Sequence, residues 1–212
     1  MRHELVKCFE KLQNEAAKVS FREREVYAFW LAQAYYFVRH STPLLALSCG
    51  RSVNRPEYHL RCISHLGEER AHDRLLLQDL AAIGAKLEDY PELATASALY
   101  QTQYYWIEHR NPVSFLGYIY VLEALAVLCG EEKTEEAKAH GSTKFLELHA
   151  GEDVEHLERA LDQVESLPRS DQEDILANAR LTVDLYAEML AEISHEVGLR
   201  SGLKRAKVSG AA

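Results

Sequence analysis

The sequence predicts an all-α protein: a bundle of about seven helices forming one domain over residues 1–199, with a flexible tail over 200–212. Three observations lead there. Apolar residues recur at i, i+3, i+4 and i+7 along almost the whole chain, and no stretch alternates as a strand does. Breakers are scarce, with Gly 10 and Pro 5 in 212 residues, below the roughly 12% of average usage. The apolar share of 47% is ordinary for a globular domain of a size that can build a real core.

The elements follow in order. Helix one covers about His3 to Val19. Ser20 with Glu23 three residues later forms a capping box for helix two, which runs through VYAFWLAQAYYFVRH and kinks at Pro43 before Gly50. Gly, Ser, Asn and Pro between Gly50 and Pro56 make a loop. Helix three runs from about Glu57 to Ile83 and stops at Gly84. Helix four spans Pro91 to His109 and ends before Asn111-Pro112. Helix five covers Val113 to Cys129 and is closed by Gly130. Glu131 to Gly141 is charged and weakly patterned, a loop or short helix. Ser142 or Thr143 caps helix six, which reaches Ser166. Pro168 breaks it, and Ser170 caps helix seven, which ends near Gly198.

Composition excludes several function classes. With Lys plus Arg 24 against Asp plus Glu 33, the formal charge is −9, which suits neither nucleic acid nor an anionic membrane surface. No apolar run reaches about 18 residues, so no membrane span is expected, and Met1 to Lys7 lacks the apolar core of a signal peptide. Cys8, Cys49, Cys62 and Cys129 are scattered without a CxxC, which fits a reducing cytoplasm.

One octapeptide occurs twice. His65-Leu-Gly-Glu68-Glu69-Arg-Ala-His72 and His149-Ala-Gly-Glu152-Asp153-Val-Glu155-His156 both read H-x-G-E-[ED]-x-x-H. On a helix, offsets of 0, 4 and 7 lie within roughly 60° of one another. His65, Glu69 and His72 therefore share one stripe, and His149, Asp153 and His156 another; Glu68 and Glu152 lie at the edges. Imidazoles and a carboxylate on one face suit iron or manganese, and zinc less specifically. Carboxylate-rich di-metal sites in bundles use a carboxylate-x-x-His unit from each of two helices with further acids from the others. Glu69-x-x-His72 and Asp153-x-x-His156 are two such units. Glu123, alone in the apolar GYIYVLEALAVLC, is a third acid, and a buried unpaired carboxylate is costly unless a cation meets it. Each motif taken singly also reads as a solvated helix face or an internal ion pair; one di-metal site accounts for all three.

These residues, with the segment QAYYFVRHSTPLL (Gln33 to Leu45), resemble the heme-oxygenase-like diiron oxidases and oxygenases, a family of iron-containing redox enzymes. The resemblance spans about Val26 to Leu190. It implies a seven-helix bundle of heme-oxygenase-like type, related to thiaminase-II-like proteins and the pyrroloquinoline-quinone synthase and often dimeric. It further implies two Fe(II) ions (or manganese), with dioxygen as co-substrate. Carried over, the ligands are Glu69, His72, Glu123, His149, Asp153 and His156. Some members place the first acid where this chain has His65, so His65 is an extra ligand, a neighbour of the ligands or simply a surface residue, and Glu68 rivals Glu69. The Glu-x-x-His form resembles the alkene-forming fatty-acid decarboxylases of the family. The reaction implied is oxidation of a small organic substrate by hydrogen abstraction, oxidative C–C cleavage or oxygen insertion.

Tyr120, one turn before Glu123, is the candidate catalytic residue among 11 tyrosines. Two ferrous ions against three carboxylates leave a charge near +1, a place for a substrate carboxylate. Two rival readings exist. A ferritin-like di-iron protein needs Glu23 or Glu25 as a fourth acid and has no use for His149. A metal-independent, thiaminase-II-like hydrolase needs a nucleophile such as Cys129 with a base beside it. The expected protein is a cytoplasmic homodimer that binds a small molecule, and neither nucleic acid nor membrane.

Overall fold

The computed structural model describes residues 1–151 and 161–209, with side chains as far as residue 202. Among the described residues every regular element is helical. The helices are α1 (Arg2–Ala16), α2 (Arg24–Val38), α3 (Ser41–Arg51), α4 (Pro56–Glu68), α5 (His72–Ala82), α6 (Ala94–His109), α7 (Phe115–Ala137), α8 (Lys144–Ala150) and α9 (Arg169–Ser209). Residues 161–166 are also helical, and short 3-10 turns precede α6, α7 and α8.

The all-helical prediction holds, with differences in how the helices are divided. Helix two is split at Arg39 and His40, so that α3 starts at Ser41 and Pro43 sits in its first turn, where no N–H partner is lost. Helix three is split at Glu69–Ala71. Ala71 is the one non-glycine residue with positive φ, +74°, among those described. Helix five does not stop at Gly130 but continues to Ala137. The last helix passes Gly198 and Arg200 and extends to Ser209. Ser20 makes no cap on α2: its hydroxyl accepts from Arg22 N–H at 3.3 Å and donates to Glu136 at 3.4 Å.

α7 is the axis of the bundle and packs against α1, α6, α8 and α9. The helical span Pro112–His140 contains an 18-residue window apolar enough to cross a membrane by length and composition alone, but 67% of that window is buried in this bundle. Tyr27, Phe29, Phe115 and Tyr120 are the largest fully buried side chains among the described residues. Two glycines let helices approach α7 closely. A Cβ on Gly117 would lie 2.3 Å from the Ile175 carbonyl oxygen of α9, and one on Gly130 would lie 2.9 Å from Ala150 Cβ of α8. Gly130 is therefore a contact surface, not a terminator. The four cysteines are free.

Candidate metal centre

Three segments converge beside α7. Glu69 caps the C-terminus of α4, His72 opens α5, and His149 is in the last turn of α8. One ligand atom from each lies within 4.8 Å of the others. The rings of His72 and His149 stand edge to face, 5.0 Å apart. Because the chain turns at Ala71, Glu69 and His72 are not on one continuous helix as the spacing predicts, yet the turn still keeps them adjacent. His72 Nδ1 is 3.5 Å from Glu69 Oε2, and it is buried with no hydrogen-bond partner among the described residues. A buried ring nitrogen without a partner is costly, and a cation at the cluster would satisfy it.

The remaining predicted ligands divide as follows. Glu123 of α7 lines the same cavity as Glu69 and His149. His65 of α4 bridges the acids, with its Nε2 3.5 Å from Glu69 Oε1 and 4.0 Å from Glu123 Oε1. Burial pushes the His65 imidazolium down, but the hydrogen bond to Glu69 and the charges of Glu123 and Glu69 outweigh it and raise its pKa. Burial likewise pushes the Glu69 carboxyl up, but the imidazoles of His65 and His72 hold it well below the usual carboxylate range. Glu68 accepts from Ser64 at 2.9 Å and is exposed; of the two acids only Glu69 lines the cavity. Asp153 and His156, with Glu152 and Glu155, lie outside the described residues. Neither Glu23 nor Glu25, the ferritin-like candidates for a fourth acid, lines the cavity, and Glu25 is 3.5 Å from Arg200.

Neighbouring groups orient the ligands. The carbonyl of Phe145 lies 2.8 Å from His149 Nδ1; with that nitrogen donating, Nε2 is left as the free ligand atom. Asp79 of α5, fully buried, accepts from Ser142 Oγ at 2.6 Å, Lys144 N–H at 3.2 Å and Phe145 N–H at 2.9 Å. It thereby caps α8 from α5 and ties the helix carrying His149 to the one carrying His72. The expected caps, Ser142 and Thr143, act differently: Ser142 donates to Asp79, and Thr143 donates to Glu147 at 2.8 Å. Asp79 carries no spacing signal, because its partners are some 65 residues away.

A model of the iron-containing redox enzymes matches residues 28–187, well over half of the chain. The chain belongs to this family. Among curated proteins none matches. Several solved structures share the fold. A domain of unknown function with a heme oxygenase-like fold from Shewanella denitrificans OS217 superposes with a TM-score of 0.79 at 22% identity, covering 92% of each chain. A TenA homologue from Pseudomonas syringae pv. tomato gives 0.69 at 16% identity, covering 91% of this chain and 92% of the other. One from Pyrococcus furiosus gives 0.67 at 14%, covering 91% and 100%. The bundle is thus heme-oxygenase-like in fold.

In this member of the family the cluster opens on a cavity of about 150 Å³, whose walls come largely from α2, α7, α8 and α9. The stripe of α7 that faces it includes Phe115, Tyr118, Ile119, Leu122, Glu123 and Ala126. Tyr120 is not on that stripe. Its hydroxyl donates to Gln163 at 3.2 Å, its ring lies under the Arg61 guanidinium, and burial pushes its pKa to about 12. The tyrosine of α7 at the cavity is Tyr118. The sequence signal for it was the stripe counted in steps of three and four from Phe115, rather than the single turn before Glu123.

Proposed function

We propose that the protein is a non-heme di-iron oxidase or oxygenase that uses dioxygen to oxidise a small organic substrate. The observation that carries this reading is the convergence of Glu69, His72 and His149 within 4.8 Å beside an apolar cavity that Glu69 and His149 line, with His72 Nδ1 left unpartnered among the described residues. Glu123, Asp153 and His156 complete the proposed ligand set. The mixed nitrogen and carboxylate donors fit iron, and when bound the iron pair supplies the redox capacity to reduce dioxygen and oxidise the substrate.

The chain's own groups do the rest. The Phe145 carbonyl holds the His149 ring in the tautomer that presents Nε2. Asp79 fixes α8 on α5, so that His149 meets His72 at a set distance. His65 lies between Glu69 and Glu123 and compensates their charge when protonated. The apolar wall excludes water from the reacting centre. A hydrolytic role gains no support from Cys129: burial pushes its thiol up, and the nearby Lys133 ammonium is held by Glu136 at 3.0 Å and the Val19 carbonyl at 2.7 Å.

The test is anaerobic loading with Fe(II), followed by mixing with dioxygen in a stopped-flow absorption instrument. A transient visible band that disappears in Glu123→Ala and in Asp153→Ala is expected. No band, together with at most one iron per chain, would overturn the reading.

A further inference from the structure

The cavity wall and one unsatisfied hydroxyl together define what the site accepts. We propose that the substrate is a mainly apolar molecule of about six to ten heavy atoms with a single hydrogen-bond-accepting head, and that Tyr118 donates to that head. This deepens the oxidase reading and rests on the cavity being the substrate site.

Size and polarity come first. The space is about 150 Å³, and a cavity of that volume with apolar walls takes a molecule the size of benzene. Charged groups gather at one end, around His65, Glu69, Glu123 and His149. The one other charge on the wall is Lys133. Its ammonium is already engaged by the Val19 carbonyl and paired with the Glu136 carboxylate, so its charge is compensated within the protein. A substrate with a second charged group would therefore lose its hydration along the wall without a replacement.

Tyr118 supplies the specificity. It is 2% exposed and lines the cavity, and its hydroxyl has no hydrogen-bond partner among the described residues. Phe115 stacks against the ring at 5.4 Å and 14°, which fixes its plane. A phenol is protonated near neutral pH, so the group serves as a donor. A buried donor without a partner is costly, and an acceptor on the substrate removes that cost. Molecules that lack such an acceptor gain nothing from Tyr118, and this makes it a determinant of selectivity.

The experiment uses metal-free protein and two probes of similar size, toluene and benzamide, with L-lysine as the polar control. Binding is followed by ligand-observed NMR and by fluorescence of Trp30, which lines the cavity. Both aromatic probes should bind and lysine should not. Tyr118→Phe should weaken benzamide about three- to tenfold, the worth of one hydrogen bond, and leave toluene unchanged. Ala126→Leu, which fills the cavity from α7, should abolish binding of both while the helical circular dichroism is retained. Equal weakening of both probes by Tyr118→Phe would overturn the donor role. Tight binding of lysine, failure of both probes to bind, or undiminished binding in Ala126→Leu would overturn the apolar substrate class. Iron stoichiometry is measured separately, so a protein that takes up iron but neither probe loses this inference and keeps the oxidase reading.

Discussion

Gly130→Ala tests how α7 and α8 hold the cluster together. The new Cβ would lie 2.9 Å from Ala150 Cβ and 3.1 Å from Ala150 Cα. Carbon atoms pack at about 3.5–4.0 Å, so relief needs a shift of roughly 0.6–1 Å. Both groups belong to helices, and no flexible side chain can absorb the movement. Overpacking of this kind costs about 1–3 kcal/mol. Replacing glycine inside a helix returns about 0.5–1 kcal/mol. Gly50→Ala in α3 isolates that second effect, since nothing lies within 4 Å of its Cβ. Gly130→Ala should therefore be less stable than Gly50→Ala by about 1–3 kcal/mol, a difference of roughly 2–4 °C in Tm for each kcal/mol in a chain of this size. His149 immediately precedes Ala150, so the displacement reaches the ligand, and metal affinity should fall about tenfold or more. Urea denaturation of both variants and competition titration with a chelator measure the two effects. Equal stability and equal metal affinity in the two variants would refute the argument that this close approach positions the site.

Three further outcomes follow from named groups. Asp79→Ala strands the N–H groups of Lys144 and Phe145 and should cost about 1–3 kcal/mol in urea denaturation, with metal affinity falling as α8 loosens; Asp79→Asn should recover part of both. Ala71→Gly removes a left-handed alanine and should raise stability by about 1 kcal/mol in the same assay; a loss would show that the turn is not strained. Glu136 is raised by burial but held below the usual carboxylate range by Phe21 N–H at 2.9 Å and Lys133 at 3.0 Å. With its folded pKa depressed, its contribution is present above about pH 4.5 and is lost as pH falls through the folded value. Stability measured from pH 7 to pH 3 should therefore decline less steeply in Glu136→Gln.

The helical class was legible because an apolar repeat of 3.6 needs no tertiary information, and the likeness to a metal-binding family rested on His and carboxylate pairs within single segments. What escaped depends on contacts between distant segments. Glu69–Ala71 holds no Gly, Pro or Asn, so nothing local announces the left-handed Ala71. Gly130 has the composition of a helix stop, yet its use is to admit Ala150. Ser20 and Glu23 have the spacing of a capping box, but the carboxylate that takes the Phe21 N–H comes from Glu136, more than 110 residues on. The acid that caps α8 comes from α5 for the same reason. Tyr118 and Tyr120 are two residues apart, and only the packing of Arg61 and Gln163 on one and the cavity on the other separates their roles.

In the proposed site Glu69, His72 and His149 hold iron together with Glu123, Asp153 and His156. Anaerobic equilibrium titration with Fe(II), scored as iron retained per chain, addresses it most directly. Two Fe(II) per chain are expected in the wild type, and one or none in His72→Ala, His149→Ala and Asp153→Ala, with the helical circular dichroism retained. Uptake of two Fe(II) by His72→Ala and His149→Ala, or no uptake by the wild type, would contradict it.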